Sequence, residues 1–263
     1  MSHDLPDHPD VGIALDDRVA TVELRKPPHN YFDIALIGHL ADAFEALEAD
    51  RRCHAIVLAA QGTAFCAGAD FSKRDATPPQ RSPRGVNPLY GEALRLFACG
   101  KPVVAAVHGP AVGGGLGLAL VADFRVTCPE ARFSANFNRL GFHPGFGLSV
   151  TLPRLVGEQQ AALLFYTGRR IGGEAAHAIG LADVLVSQDQ VRAEASRLAH
   201  EIAVSAPIAV QSTRATLRQG LVERLRVAVA RESEQQNAHF ATADFREGVA
   251  AMAARREPRF QGE

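Results

Sequence analysis

The sequence predicts an α/β protein whose parallel strands are joined by helical crossovers, and three observations carry that prediction. Short apolar runs of the kind shown by a strand buried on both faces occur at His54–Ala60 and Val103–Val107. Stretches with apolar residues at helical spacing stand around them. Each buried run also leads into a glycine-bearing loop, Ala64 to Phe71 after the first and Gly109 to Gly117 after the second. Such loops fall at the carboxyl ends of parallel strands, where ligand-binding loops gather.

Composition narrows the class. A chain of 263 residues with 47% hydrophobic content can fill one large core or a core with an appendage. A formal net charge of -1 argues against nucleic acid as the main partner. No uninterrupted apolar run reaches about eighteen residues, so no membrane partner is expected. The segment Met1–Asp10 is acidic and contains prolines, unlike a signal peptide. Cys53, Cys66, Cys99 and Cys128 are scattered, without a C-x-x-C pair or a histidine at metal spacing. They read as free thiols of a reducing, cytoplasmic setting, and no metal site is expected.

In chain order, Val11–Leu15 and Val19–Leu24 read as a hairpin around Asp16-Asp17-Arg18. Lys26-Pro27-Pro28-His29-Asn30 breaks the sheet, and Asp33 can cap a helix carrying Leu36, Ile37, Leu40, Phe44 and Leu47 on one face. The run to Ala60 is the next strand, and Gln61-Gly62-Thr63 turns it into the first glycine loop. Ser72 to Gly91 is polar and proline-rich, which suits either a lid or a surface loop. Pro102 then opens the central strand.

Nothing polar lies between Gly113 and Ala122, so a helix there is buried all round. Its first turn presents unpaired N–H groups and the positive end of the helix dipole. The glycines allow a ligand to approach the backbone. That arrangement suits stabilisation of negative charge on an oxygen, an oxyanion site. It also suits mere close packing of helix on sheet, but a second glycine loop at Gly68 favours a site. A P-loop would end in Gly-Lys-Ser/Thr, and a dinucleotide fingerprint counted from Gly113 would need glycine where Leu118 stands.

Further strands are expected at Phe124–Thr127 and Ala131–Ser134, followed by a turn-rich aromatic loop from Asn136 to Gly147. Helices are expected over 148–156, 158–167 and 174–179, and a last strand over 183–186. From Gln188 the pattern is helical, broken at Ala206-Pro207 and Gly220, with Asp244 and Glu247 spaced as a capping box. Residues 1–195 are expected to form the core and 196–263 a helical oligomerisation region.

Several motifs together resemble the crotonase superfamily, the enoyl-CoA hydratases and isomerases, over nearly the whole chain. They are Phe65-Cys66-Ala67-Gly68-Ala69-Asp70 after Ile56-Val57-Leu58, Lys101 through Gly109, and Gly113-Gly114-Gly115. Leu140-Gly141, Pro144-Gly145, Leu152 through Gly157, Thr167-Gly168-Arg169, Gly180 through Asp183, Glu247-Gly248 and Pro258-Arg259-Phe260 continue the likeness. The resemblance implies a crotonase-like ββα spiral core with a helical C-terminal trimerisation region, as a homotrimer or dimer of trimers. It implies acyl-CoA substrates, with coenzyme A part of the substrate and no tightly bound cofactor. It implies an oxyanion hole from the N–H groups of Ala69 and Gly114. The CoA part would run past Leu24, Arg25, Ala67, Gly68, Asp70 and Phe71, with Gly113 and Phe137 beside the thioester and Arg255 of a neighbouring subunit near a phosphate. Asp70 also reads simply as a helix cap.

The departures bear on the reaction. The two glutamates that position water in hydratases of the family fall here on Gly117 and Phe137, and a third recurrent acid position is Gly145. A positioned acid or base is worth about 10² to 10⁴ in rate, so two-glutamate hydration is not expected. The replacements suggest a roomier, more apolar pocket for a bulky or cyclic acyl group. His143, in the aromatic loop, is the foremost acid/base candidate, set against a loop histidine bonded to backbone. Asn136, Asn138, His29, Asn30 and His108 read better as turn or structural residues, and Tyr90 and Glu92 as helix-start surface. The expected function is therefore an acyl-CoA enzyme that stabilises a thioester enolate. The alternatives are a non-catalytic CoA-binding subunit and a β-diketone carbon–carbon hydrolase that does not use CoA.

Overall fold

Strands β1 (Val11–Asp16) and β2 (Val19–Leu24) form the expected antiparallel hairpin, Val11 opposite Leu24. This computed structural model describes residues 6–71 and 87–263, so Ser72–Val86 of the expected lid or surface loop lies outside the described residues. Asp33 caps α1 (Ile34–Ala49) by accepting a hydrogen bond from the Leu36 N–H at 2.9 Å. Then come β3 (Ala55–Ala60), α2 (Pro88–Ala98), β4 (Val103–Val107), β5 (Ala111–Val112), α3 (Gly114–Ala119), β6 (Phe124–Thr127) and β7 (Arg132–Ser134). The remainder is α4 (Leu148–Val156), α5 (Glu158–Thr167), β8 (Arg170–Gly172), α6 (Gly173–Ala178) and β9 (Val184–Leu185). It ends with α7 (Val191–Ala203), α8 (Pro207–Leu217), α9 (Leu221–His239) and α10 (Ala243–Ala253).

The main sheet runs β1-β2-β3-β4-β6-β9, parallel except for the hairpin. Every residue of β3 and β4 is buried, as their unbroken apolar runs require. Helix α7 lies across β2, β3, β4 and β6. Its buried Val191, Ala195, Ala199 and Ala203 recur every fourth residue, and the small side chains let the helix sit close to the strands. The division expected at residue 195 thus falls inside a helix packed on the core sheet. Asp123, at the start of β6, ties α8 to the sheet. Its carboxylate accepts from the Val103 N–H at 2.9 Å and from Arg214 and Arg218 at 2.8 Å each.

Three differences from the sequence reading have local causes. Helix α2 starts at Pro88, inside the stretch read as loop to Gly91, because Asn87 caps it and proline at the first helical position is preset for the helix. A second sheet, β5-β7-β8, was not foreseen, since β5 and β8 are too short to show periodicity. The cap of α10 is Thr242, whose hydroxyl accepts from the Phe245 N–H at 3.1 Å. Asp244 and Glu247 do not form the expected capping box. Asp244 holds the N–H groups of Gln261 and Gly262, and Glu247 pairs with Arg256. Among the described residues no helix is long and apolar enough to cross a membrane.

Candidate active site

The two glycine loops meet edge to edge. Cys66 pairs with Ala111 as an isolated parallel bridge, the Cys66 N–H donating to Pro110 O and the Val112 N–H to Cys66 O, both at 3.0 Å. On the other side of the first loop Phe32 pairs with Ala69, the Phe32 N–H donating to Gly68 O at 3.0 Å. The first loop is therefore a short central strand between two neighbours. Gly68 has φ +82°, and a Cβ there would stand 2.7 Å from Val112 O and 3.6 Å from Gly114 N. Only glycine fits both the dihedral and the approach. Gly115 is likewise pressed on the Cys66 carbonyl.

This packing leaves two donors unused. The N–H groups of Ala69 and Gly114 make no hydrogen bond among the described residues. Gly113, at φ +56°, spends its own N–H on Ser134 O at 2.8 Å and has no side chain with which to cap α3. Ala69 opens on a cleft of about 780 Å³ lined also by Lys26, His29, Tyr31, Phe32, Asp70 and Leu89.

Around these donors the walls are aromatic. The Phe32 ring lies on the Cα of Gly114, and a Cβ at Gly113 would stand 3.8 Å from Phe137 Cζ. Phe146 covers Gly117, where an added Cβ would meet its Cδ1 at 2.7 Å. The extra room expected at Gly117 is thus taken by Phe146, a correction to the roomier pocket inferred from the sequence. At Gly145 the corresponding space holds the Tyr90 hydroxyl and the Gln236 amide.

A sequence model of the enoyl-CoA hydratase/isomerase family matches residues 15–263. The chain belongs to that family. It is 31% identical over 252 residues to the 1,2-epoxyphenylacetyl-CoA isomerase of Escherichia coli, covering 93% of this chain and 95% of that protein. It is also 31% identical over 248 residues to the crotonyl-CoA hydratase of Syntrophomonas wolfei, with 93% and 95% covered. A crystal structure of an enoyl-CoA hydratase/isomerase from Pseudoalteromonas atlantica superposes with a TM-score of 0.86 at 29% identity, over 96% of this chain and all of that one. The resemblance and the crotonase fold read from the sequence are those of the family, and the chain is an enzyme of its lyase and isomerase kind.

In this enoyl-CoA hydratase/isomerase family member the other sequence-derived positions are dispersed. Leu24 is buried at the end of β2, and Ala67 donates its N–H to His29 O at 3.0 Å beside the cleft. Arg25 turns onto Gly12 and pairs with Glu23 at 3.0 Å. Among the described residues the lysine or arginine lining the cleft is instead Lys26, whose Nζ is 2.9 Å from Asp33. Phe71 and Phe137 join an aromatic cluster through Phe142, with ring centroids 5.6 and 5.4 Å away. Arg255 is exposed just after α10. His143 is not brought to Ala69; it lines a separate cavity with His239, Phe165 and Tyr166. His108 Nε2 meets Gly62 O at 3.0 Å, the structural use expected of it.

Sequence reading missed the buried polar face of α9. Glu232 is fully buried and accepts from the N–H groups of Gly147 and Ser149 and from Ser149 Oγ, at 2.8, 3.1 and 2.6 Å. Burial pushes its carboxyl above the ordinary value, partly offset by those bonds. Ser233 accepts from the Asn87 N–H, and Gln236 accepts from Tyr90 Oη at 2.8 Å while donating to His143 O at 2.9 Å. Tyr90 is therefore buried, its hydroxyl against Gly145 and Gln236, and not helix-start surface. Nothing in a polar helix face marks it as buried, because a solvated face has the same pattern.

Proposed function

We propose that the chain binds a CoA thioester with its carbonyl oxygen at the N–H groups of Ala69 and Gly114, and that these stabilise the enolate formed from it. The observation that carries the reading is a pair of main-chain donors left unpaired among the described residues, on two adjoining glycine loops, Gly68 beside Gly114 N. Such donors act without reorganisation, and each is worth roughly 3 to 4 kcal/mol in comparable sites. The CoA portion runs past Ala67, Asp70 and Phe71, of which Asp70 lines the cleft, with Lys26 rather than Arg25 as a cation at its wall among the described residues. The acyl group meets Phe32, Phe137 and Phe146.

Ordinary hydration is not proposed, because Gly117, Phe137 and Gly145 offer no carboxylate. The reading is enolate chemistry of another outcome, such as isomerisation of an apolar acyl group. His143, in its separate cavity, has no part in it. The exposed Ile208 and Leu217 of α8, 83% and 74% accessible in the single chain, suit a subunit interface of the proposed homotrimer or dimer of trimers.

Calorimetry with acetyl-CoA, together with deuterium uptake at the α-carbon of a panel of acyl-CoA esters, tests the reading. Binding with α-exchange supports it. Binding without exchange of any ester favours the non-catalytic CoA-binding subunit. No binding removes the thioester from the proposal and leaves the β-diketone hydrolase.

A further inference from the structure

One stripe of side chains on α9 holds the aromatic loop on both sides of Phe146. Residues 232, 236 and 239 follow one another at four and three positions, so they share a helix face. Before Phe146, His239 Nδ1 accepts from the His143 N–H at 3.0 Å and Gln236 donates to His143 O at 2.9 Å. After it, Glu232 Oε2 accepts from the Gly147 N–H at 2.8 Å, and Oε1 accepts from the Ser149 N–H and hydroxyl at 3.1 and 2.6 Å. Gly147 stands at the start of α4 without a side chain to cap it, so a carboxylate from α9 satisfies that first turn.

Between these anchors the backbone has a conformation that an aromatic residue resists. Phe146 has φ +63° and Gly147 φ +72°, in the left-handed region that suits glycine alone of the two. Such a backbone persists where its surroundings over-determine it. Phe146 is fully buried and its ring lies on Gly117, the centroid 5.7 Å from that of Phe32 and 6.5 Å from that of Phe97. Phe32 in turn lies on the Cα of Gly114, one of the two free donors. A chain of contacts therefore runs from the Glu232 carboxylate, through Gly147 and Phe146, to the wall of the candidate acyl site. An amide at position 232 could not replace the carboxylate. It has one acceptor oxygen, and its NH2 would be turned toward the N–H of either Gly147 or Ser149, donor against donor.

We propose that Glu232 is a positioning residue for acyl-group size: by holding Gly147 and Ser149 it keeps Phe146 over Gly117 and closes that side of the site to bulky acyl groups. The inference rests on the thioester reading of the donor pair.

Calorimetry of the full chain with acetyl-CoA and with phenylacetyl-CoA gives a ratio of affinities that tests it. Phe146→Gly removes the ring and fits the dihedral, and is expected to shift the ratio toward phenylacetyl-CoA by about tenfold or more, the effect of giving a ring a buried apolar place. Glu232→Gln is expected to shift it the same way. Ser149→Ala keeps the two main-chain bonds to Glu232 and is expected to give a smaller shift, which decides the matter if Glu232→Gln does not fold. The double variant Glu232→Gln/Phe146→Gly is expected to shift the ratio no further than Phe146→Gly alone, because Glu232 acts through the ring; a helix cap without this role lowers both affinities together. A ligand-free measurement stands beside these. With 4-fluorophenylalanine at position 146, the fluorine resonance is expected to become sensitive to a soluble paramagnetic reagent in Glu232→Gln and not in the native chain. An unmoved ratio in folded variants, shifts that add in the double variant, or an unmoved fluorine signal overturns the positioning role. Failure of the native chain to bind either ester refutes the thioester reading, and the size role with it, whatever the fluorine signal shows.

Discussion

Gly68→Ala separates the geometry of the two loops from general stability. At φ +82° a Cβ costs about 1 to 2 kcal/mol in backbone strain. The same Cβ would stand 2.7 Å from Val112 O, so the loops must part by several tenths of an ångström. That weakens the 3.0 Å bond from the Val112 N–H to Cys66 O, worth about 1 kcal/mol net. The expected loss of stability is therefore about 2 to 3 kcal/mol. The functional loss is larger, because parting the loops takes Gly114 N away from Ala69 N. Losing one donor of such a pair costs about 10² to 10³ in rate, or the equivalent affinity for an enolate. Acetoacetyl-CoA reports this directly, since its bound enolate absorbs in the near ultraviolet where the ketone does not. Gly220→Ala is the control: it has φ +70°, with only Arg224 Nη1 at 3.4 Å, far along the chain from either loop. If Gly68→Ala weakens the enolate signal no more than Gly220→Ala, the donors are not where the oxygen binds.

Other outcomes are as definite. Glutamates placed at Gly117 and Phe137 together are expected to leave crotonyl-CoA hydration within about tenfold of the native chain, because Phe146 fills the space over Gly117; adding Phe146→Ala is expected to raise it by about 10² or more, read by loss of enoyl absorbance. Asp123→Asn strands two guanidiniums that are each only 10% exposed, so urea unfolding is expected to show a loss of about 3 kcal/mol or more. The depressed pKa of His239 means the unfolded chain binds its proton more readily than the folded one. Its contribution to stability is present above about pH 6.5, the unfolded value, and is lost as pH falls below it, so thermal melts from pH 8 to 5 are expected to steepen less on the acid side in His239→Asn.

Much of this was legible because some residues admit only one physical use. Unbroken apolar runs at 55–60 and 103–107 have no stable place except a doubly covered sheet, and they are β3 and β4. Gly68, Gly113 and Gly114 marked both loops, since side chains would have closed them. Long-range relations were not legible. That Phe146 lies on Gly117, twenty-nine positions away in sequence, depends on how a loop folds back, and no local pattern encodes it. Glu232, Ser233 and Gln236 have the pattern of a solvated helix face, and only the placing of α2 and the aromatic loop against them makes them buried. Arg25 and Lys26 were indistinguishable as cations in sequence, and Glu23 decides between them by drawing Arg25 onto the hairpin.

The pairing of Cys66 with Ala111 and of Phe32 with Ala69 makes the donor pair a property of the main chain alone. Side-chain truncation, the usual way of finding functional residues, passes over it: position 69 is already alanine, and at position 114 there is nothing to remove. The informative edits are backbone ones, an ester in place of the amide at Ala69 or Gly114, which deletes the hydrogen and leaves every side chain as it was.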